Sequence, residues 1–242
     1  MSNIEKILKQ AAATFSKPQL ASKYHESLNA LVQAAGKLTG DDVGVDSALV
    51  KQHNSRDEDA ANPVGYISVY EDSSISVSVF VLKVNSVLPL HDHPVMHGII
   101  KVLHGSVRIQ SYSLMSDTIR PRNGDRLCSL NDYYHVPHVL YPDPIRARRN
   151  PSVVLSPNDG CGLLTPTENN IHEVSSVNGP SAFLDILAPP YDAKTALYGP
   201  RPCLYFDVEH HSDTVSTLTP AVYHSNNYWT VELPYRGPKM AI

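Results

Sequence analysis

The chain has 242 residues, 42% of them hydrophobic and 18% charged, so it is long enough to bury a sizeable core and has the composition of a globular protein. Its formal net charge of -4 predicts neither nucleic acid nor an anionic membrane surface as a partner. Three scattered cysteines, Cys128, Cys161 and Cys203, favour a reducing compartment over a disulfide framework. We expect a cytoplasmic monomer without a membrane span or signal peptide, with a mitochondrial location as the weaker alternative.

Two short helices are predicted at the start of the chain. Apolar residues recur at helical spacing between Ile4 and Phe15, and again between Leu20 and Leu38. Pro18 separates the two patterns, because proline disrupts the interior of a helix. We therefore expect a helical segment over residues 1–45, packed on a single domain that spans residues 46–242.

From about residue 65 the sequence changes to short β-patterned runs separated by Pro, Gly, Asn and Asp. Residues 75–84 alternate between apolar and polar side chains and form the clearest predicted strand. Residues 99–103 and 107–112 flank Gly105 and predict a β-hairpin with this glycine in its turn. Further strands are predicted at residues 182–187, 204–208 and 228–233. Many short strands with frequent turns indicate an all-β sandwich or barrel.

The segment His91-Asp92-His93 has the most specific chemistry in the sequence. Residues i and i+2 of a strand point to the same face, so His91 and His93 can present two imidazoles together. His172, from a second strand, would complete a three-histidine metal site. Imidazole suits Fe, Zn, Cu and Ni, so the ligands alone leave the metal open. The plainer alternative is that all three are ordinary loop or surface histidines.

The spacing that follows these histidines resembles the first cupin motif. The two histidines are followed by four residues, Gly98, six residues and Gly105. Two positions depart from the usual pattern, because Gly98 stands where many cupins carry a glutamate ligand and Asn85 stands where a leading glycine is usual. A site without the glutamate would hold its metal through histidines alone.

Two longer segments resemble one family, that of cysteamine (2-aminoethanethiol) dioxygenase and plant cysteine oxidase. The first runs from His91 to Ile109 and the second from Asn170 to Tyr191, and the similarity extends from about residue 75 to the C-terminus. The resemblance implies a cupin (double-stranded β-helix) fold and a non-haem Fe(II) cofactor. It also implies that both atoms of O2 are added to a thiol to give a sulfinic acid. The implied substrates are cysteamine and proteins with an N-terminal cysteine, the latter allowing a role in oxygen sensing.

The resemblance also suggests roles for four further residues. Asp185 and Tyr191 correspond to motif residues near the family's iron that help to place the substrate, whose amine needs an acceptor such as a carboxylate. Cys203 and Tyr205 correspond to a Cys-x-Tyr pair that animal members can join as a thioether, and this pair favours the animal-type branch. Structural roles stay open for all four: Asp185 could orient a histidine, and the others could be packing residues.

Two other classes of function stay open. The first is another metal cupin, either a Zn or Mn isomerase or a free-cysteine dioxygenase. A free-cysteine enzyme needs an arginine for the carboxylate of its substrate, and Arg108 and Arg126 are the nearby candidates in the sequence. The second class is a non-catalytic cupin that serves as a binding module.

Overall fold

The computed structural model describes residues 1–16, 23–55, 64–115, 144–191, 202–221 and 229–240. Cys128 and Arg126 lie outside these ranges. The helices are α1 (Asn3–Phe15), α2 (Tyr24–Ala35), a short 3-10 helix (Gly40–Val43) and α3 (Ser47–Asn54). The strands are β1 (Val64–Glu71), β2 (Ser76–Leu82), β3 (Val87–Asp92), β4 (His97–His104), β5 (Val107–Leu114), β6 (Ile145–Arg149), β7 (Val153–Leu155), β8 (Gly162–Leu164), β9 (Ile171–Ser176), β10 (Ser181–Ala188), β11 (Tyr205–His210), β12 (Val215–Ala221) and β13 (Thr230–Glu232).

The two predicted helices are confirmed, and a third follows them. Helix α1 begins at a capping box in which the Ser2 hydroxyl accepts from the Glu5 amide and the Glu5 carboxylate accepts from the Ser2 amide. Helix α3 was not predicted from periodicity because it has only eight residues, although Asp46 caps its first turn. It lies beyond the predicted helical segment of residues 1–45, and that domain boundary stays a prediction.

The strands form two sheets. The first has the order β13-β1-β2-β10-β4-β8 and the second the order β6-β12-β11-β3-β9-β5-β7. In the second sheet β6 also pairs with β5, so six of its strands close into a ring. Apolar residues from both sheets share one core, which includes Ile100 and Phe183 from the first and Leu88, Ile109 and Val174 from the second. This arrangement is the predicted cupin fold with helices packed outside it.

The helices cover the outer face of the first sheet. Successive residues of a strand point to opposite faces, so β10 turns Leu184 and Ile186 toward the helices and Phe183 and Asp185 toward the interior of the barrel. Burying each large aliphatic side chain in this helical layer contributes roughly 1.5–3 kcal/mol. The helical layer therefore fixes which face of β10 lines the interior.

The predicted hairpin at Gly105 is wrong in its pairing. Strand β4 pairs with β10 and β8 in the first sheet, whereas β5 pairs with β9, β6 and β7 in the second. Gly105, with φ 67°, turns the chain from one sheet to the other, and a Cβ there would lie 2.5 Å from the carbonyl oxygen of Pro180. A turn signal between two strands shows that the chain changes direction, but it does not distinguish pairing from a crossing between sheets.

The other predicted strands correspond to β2, β10, β11 and β13. Residue 228, at the start of the last prediction, lies outside the described residues. Within the described ranges, no helix is both long enough and apolar enough to cross a membrane.

Candidate metal centre

Three strands of the second sheet place two histidines and a serine in one row. His91 of β3 lies directly opposite His172 of β9, which in turn lies opposite Ser111 of β5. Tyr205 of β11 pairs with His91 on the other side. Side chains that face each other across strands share one face of a sheet, and Ile109 and Val174 on this face belong to the core between the two sheets, so the row points into the space between the sheets.

A register shift in β3 turns His91 inward. Leu88 faces Val174 and His91 faces His172. Three positions along β3 therefore correspond to two positions along β9. Such an irregularity is typical of a β-bulge, in which an extra residue re-aims the side chains that follow. Without it, strict alternation would place Leu88 and His91 on opposite faces of the strand.

The predicted ligand residues come together. The candidate ligand atoms of His91, His93 and His172 all lie within 4.8 Å of one another, and the three residues are 6%, 1% and 2% exposed. His93 lies just beyond the end of β3, where its amide donates to the carbonyl of Asn170 at 3.2 Å. The i and i+2 spacing of His91 and His93 therefore correctly predicted that the two rings lie together, although His91 is in β3 and His93 is not.

The hydrogen bonds of the His91 and His93 rings leave their Nε2 atoms free of protons. His91 Nδ1 is 2.7 Å from the carbonyl oxygen of Pro89, which can only accept, so this nitrogen carries the proton. The Tyr191 hydroxyl donates to the carbonyl of Asp92 at 2.8 Å and lies 2.9 Å from His93 Nδ1. Because a hydroxyl has one proton, His93 Nδ1 must be the donor in the second contact.

The remaining nitrogens are suited to a cation. His93 Nε2 and His172 Nε2 are 3.3 Å apart. Because the proton of the His93 ring is on Nδ1, its Nε2 has no proton to donate to His172. Burial lowers the pKa of His91 to about 4 and holds the pKa values of His93 and His172 well below the usual value. Neutral imidazoles with converging lone pairs are the protonation state that metal binding requires. The residues therefore fit a metal held by three histidines.

The surroundings of Gly98 leave no room for the glutamate ligand that many cupins carry at this position. A Cβ at this position would lie 2.8 Å from Leu164 and 2.9 Å from Leu187, closer than side chains approach one another. The two leucines occupy the space that a side chain at position 98 would need. An apolar cavity of 120 Å³, lined by Leu164, Ile109 and their neighbours, extends from there to His172.

Asp185 is a buried carboxyl group on the interior face of β10. It is 4% exposed, and its Oδ1 has no hydrogen-bond partner among the described residues. Burial raises the pKa of this carboxyl to about 7, with a small opposing effect from the Ile186 amide. Burying an unsatisfied oxygen is costly, so this carboxyl group is a candidate to bind a polar ligand.

The four residues predicted beside the metal take different positions. The hydroxyl of Tyr191 is hydrogen-bonded to the ring of His93, one of the candidate ligands. Cys203 precedes β11 and lies close to the hydroxyls of both Tyr191 and Tyr205. Burial raises the pKa of the Cys203 thiol to about 12, so the thiol is protonated at neutral pH. Arg108 points away from the metal ligands: it is exposed on the outer face of β5, opposite the face of Ser111.

Two polar residues beside the histidines were not assigned a role from the sequence. Asp92 accepts from the Leu204 amide at 2.8 Å through Oδ1 and so ties the Cys203–Tyr205 segment to the metal strand. Asn170 donates to the carbonyl of His93 at 2.7 Å and to that of Thr165 at 2.9 Å. Asp92 lies between two of the histidines in the sequence and Asn170 lies two residues before the third, but their partners are at least five residues away, so no local pattern could have indicated them.

The fold and the site together define a cupin whose candidate metal ligands are three buried histidines. The PCO_ADO family model matches residues 35–240, and the chain belongs to that family. The chain is 31% identical to the 2-aminoethanethiol dioxygenase of Mus musculus, over 98% of this chain and 96% of that protein. It is 36% identical to the protein of the same name from Homo sapiens, over 74% and 68% of the two chains.

A plant relative is more distant. Plant cysteine oxidase 1 of Arabidopsis thaliana is 28% identical over 60% of this chain and 41% of its own length. The predicted family is therefore confirmed, and the higher identity to the two mammalian proteins supports the animal-type branch. The predicted enzyme class, a thiol dioxygenase, is supported by the same relatives.

Replacing His172 with Ala should abolish stable metal binding, because two imidazoles remain of three. We expect the affinity for Co(II) to fall more than about 100-fold, beyond the 10- to 100-fold typical of losing a hydrogen-bond partner of a ligand. Metal content after dialysis, together with the visible absorption of the Co(II) form, measures this. His211→Ala, at an exposed position of the β11–β12 hairpin, is the matched control. One tightly bound Co(II) per chain in His172→Ala would contradict the ligand assignment.

Proposed function

We propose that the chain is a non-haem Fe(II) thiol dioxygenase that converts the thiol of cysteamine, or of an N-terminal cysteine, to a sulfinic acid. The observation that carries this proposal is the set of three neutral, buried histidines in a chain of the PCO_ADO family. Two relatives are named for an aminothiol and one for cysteine. Oxygen sensing and a cytoplasmic location belong to the same proposal.

The three histidines would hold Fe(II) through their Nε2 atoms and leave further positions for the thiol and O2. Bound there, the iron supplies the binding and reduction of O2, which protein side chains cannot do. Three neutral ligands leave the charge of the ion uncompensated, which favours an anionic thiolate as the next ligand. The surrounding barrel contributes a dry apolar wall of Leu164, Ile109 and Ile100.

Asp185 is proposed to receive the amine of the substrate. In cysteamine and in an N-terminal cysteine, an ammonium group lies two carbons from the sulfur. The unpartnered Oδ1 of Asp185 is a suitable acceptor, and a buried carboxylate paired with an ammonium group loses much of the cost of its charge. The ammonium would favour the ionised carboxylate and so lower the pKa of Asp185 from about 7.

Tyr191 is proposed to act on the metal through His93. Its hydroxyl accepts from His93 Nδ1 and donates to the Asp92 carbonyl, which fixes both the tautomer and the rotation of that ring. The contact leaves the hydroxyl without a second proton to donate to a substrate. Tyr191 is thus a positioning residue in this proposal.

Cys203 and Tyr205 are proposed to form a thioether during turnover. The Cys203 thiol lies close to the Tyr205 hydroxyl, which places sulfur near the edge of the ring. Joining them breaks the S–H bond and one ring C–H bond, forms a C–S bond and releases two protons and two electrons. O2, the co-substrate of the proposed reaction, would accept the two electrons and two protons and leave as hydrogen peroxide.

A free-cysteine dioxygenase is less well supported. Its substrate has a carboxylate that needs a cation, and Arg108 faces away from the three histidines. Arg126, the other candidate, lies outside the described residues. A cysteine within a peptide chain has no free carboxylate, and cysteamine has none at all, so neither proposed substrate needs this arginine.

Loading with Fe(II) without O2, followed by exposure to O2, should add about 32 Da to cysteamine and to a peptide that starts with Cys, as expected for a sulfinic acid. Mass spectrometry of both thiols measures the gain, and His172→Ala is the control. The faster substrate indicates whether the enzyme acts mainly on the small thiol or on proteins. If the iron-loaded protein leaves both masses unchanged, the proposed reaction is wrong.

Replacing Asp185 with Asn should weaken the binding of cysteamine but not the binding of a thiol that lacks the amine. Losing a hydrogen bond to a charged group costs roughly 1.5–3 kcal/mol, so KM should rise about 10- to 100-fold. 2-Sulfanylethanol has a hydroxyl in place of the amine, and its inhibition constant should change less than about threefold. Asp207→Asn, at an exposed position of β11, is the control variant. Equal losses for the two thiols would rule out Asp185 as the acceptor of the amine.

After turnover with Fe(II) and O2, the intact protein should weigh about 2 Da less than its sequence mass, because thioether formation removes two hydrogens. Cys203→Ser should show no loss, whereas Cys161→Ser should behave like the unmodified chain. Peptide mapping should place the link between Cys203 and Tyr205. A link from Cys203 to Tyr191, or an unchanged mass after many turnovers, would refute the proposed pair.

A further inference from the structure

Asn169 lies at the entrance to β9, three residues before His172, and its side chain makes three hydrogen bonds. Its Oδ1 accepts from the Ser111 hydroxyl at 2.9 Å and from Asn150 Nδ2 at 2.9 Å, while its Nδ2 donates to the carbonyl of Leu163 at 3.1 Å. Its amide donates to a further hydroxyl nearby at 3.0 Å. The residue is therefore held from three separate segments of the chain.

Asn150 connects this residue to β5 and β6. Its Nδ2 lies 2.9 Å from the Ser113 hydroxyl, and the same hydroxyl accepts from the Asn169 amide. Its own carbonyl accepts from Gln110 Nε2 at 2.9 Å, and its Oδ1 accepts from Arg148 Nη1 at 2.8 Å. Asn150 is 8% exposed and Ser113 1%, so water competes little for these bonds.

The network ends at a metal-site histidine. The ring of His172 lies close to the main chain of Asn169, and Ser111, which donates to Asn169 Oδ1, is the direct cross-strand neighbour of His172. Asn169 has φ 56°, a left-handed conformation that directs the chain into β9. Its side-chain bonds keep this turn, and the main chain that contacts the ring, in one position.

We infer that Asn169, anchored by Asn150 and Ser111, is a positioning residue that sets the orientation of the His172 ring toward the metal. The inference rests on the three-histidine metal site of the proposed function, but it does not depend on which thiol is oxidised. The other two rings are held differently, His91 by the nearby carbonyl of Pro89 and His93 by Tyr191. The main chain beside His172 is in turn held by the side-chain network of Asn169, Asn150 and Ser111.

The test compares two asparagines with the same backbone conformation. Asn178 also has φ 56°, but it is exposed. Glycine tolerates this conformation, so Asn169→Gly and Asn178→Gly each remove a side chain without straining the backbone. We expect Asn169→Gly to bind Co(II) about 10- to 100-fold more weakly and to change the Co(II) absorption spectrum. Asn178→Gly should match the unmodified protein in both.

Two further variants separate positioning from loss of fold. Asn169→Asp keeps the oxygen that accepts from Ser111 and Asn150 but places its second oxygen against the Leu163 carbonyl, so its Co(II) affinity should lie between those of Asn169→Gly and the unmodified protein. Ser111→Ala removes one hydrogen bond of Asn169, and its affinity should fall about fivefold, the usual effect of one bond. Thermal unfolding of each metal-free variant shows whether it is folded at the temperature of the assay.

The outcomes are distinct. Unchanged Co(II) affinity and spectrum in folded Asn169→Gly would overturn the inference, as would a loss in Asn178→Gly of the same size. If the unmodified chain fails to bind Co(II), the metal site and this inference both fall. If it binds Co(II) and shows the expected losses but oxidises no thiol, the positioning role stands and the proposed reaction fails. If Asn169→Gly does not fold, the Ser111→Ala affinity decides.

Discussion

The register of β3 against β9 is the constraint on which the site depends. Slipping one strand by a single residue would turn every side chain of β3 to the other face, because the side-chain period of a strand is two. The irregularity between Leu88 and His91 allows Leu88 to fill the apolar core and His91 to face His172 on the same side. Pro89 lies in the irregular stretch and provides the carbonyl that orients the His91 ring. One local departure from regular pairing therefore sets both the position and the protonation of a ligand.

Burial then determines the charges of the site. Neutral imidazoles are inexpensive to bury, whereas the Asp185 and Asp92 carboxyl groups have raised pKa values of about 7 and about 8 because their ionised forms lose solvation. A divalent cation held by three neutral histidines reverses this balance and favours negative charge nearby. In the proposed reaction, the apolar interior would therefore accept charge only when cation, thiolate and ammonium are present together.

The meeting of the three histidines could be predicted from the sequence because two of them are close neighbours and the third lies in a motif of the family. The pairing of the strands on either side of Gly105 could not be predicted, because the same turn signal occurs in a hairpin and where the chain crosses from one sheet to the other. Asn150 and Asn169 lie 19 residues apart and meet Ser111 from different segments, so only the folded chain brings them together. Helix α3 was not predicted for another reason. Its eight residues span about two turns, which is too few for a clear hydrophobic period.

Each ring is held by a different part of the domain, and this couples the site to folding. His91 depends on its own strand, His93 on the segment after β10 that carries Tyr191, and His172 on contacts of Asn169 with β5 and the residue that follows β6. The three Nε2 atoms converge only when all of these elements are in place. An ion that binds this arrangement but not the unfolded chain must stabilise the fold in proportion to its affinity. Removing any one of the contacts that orient the three rings should therefore lower metal affinity before it disrupts the fold. The apolar cores on both sides of the second sheet do not depend on the ion.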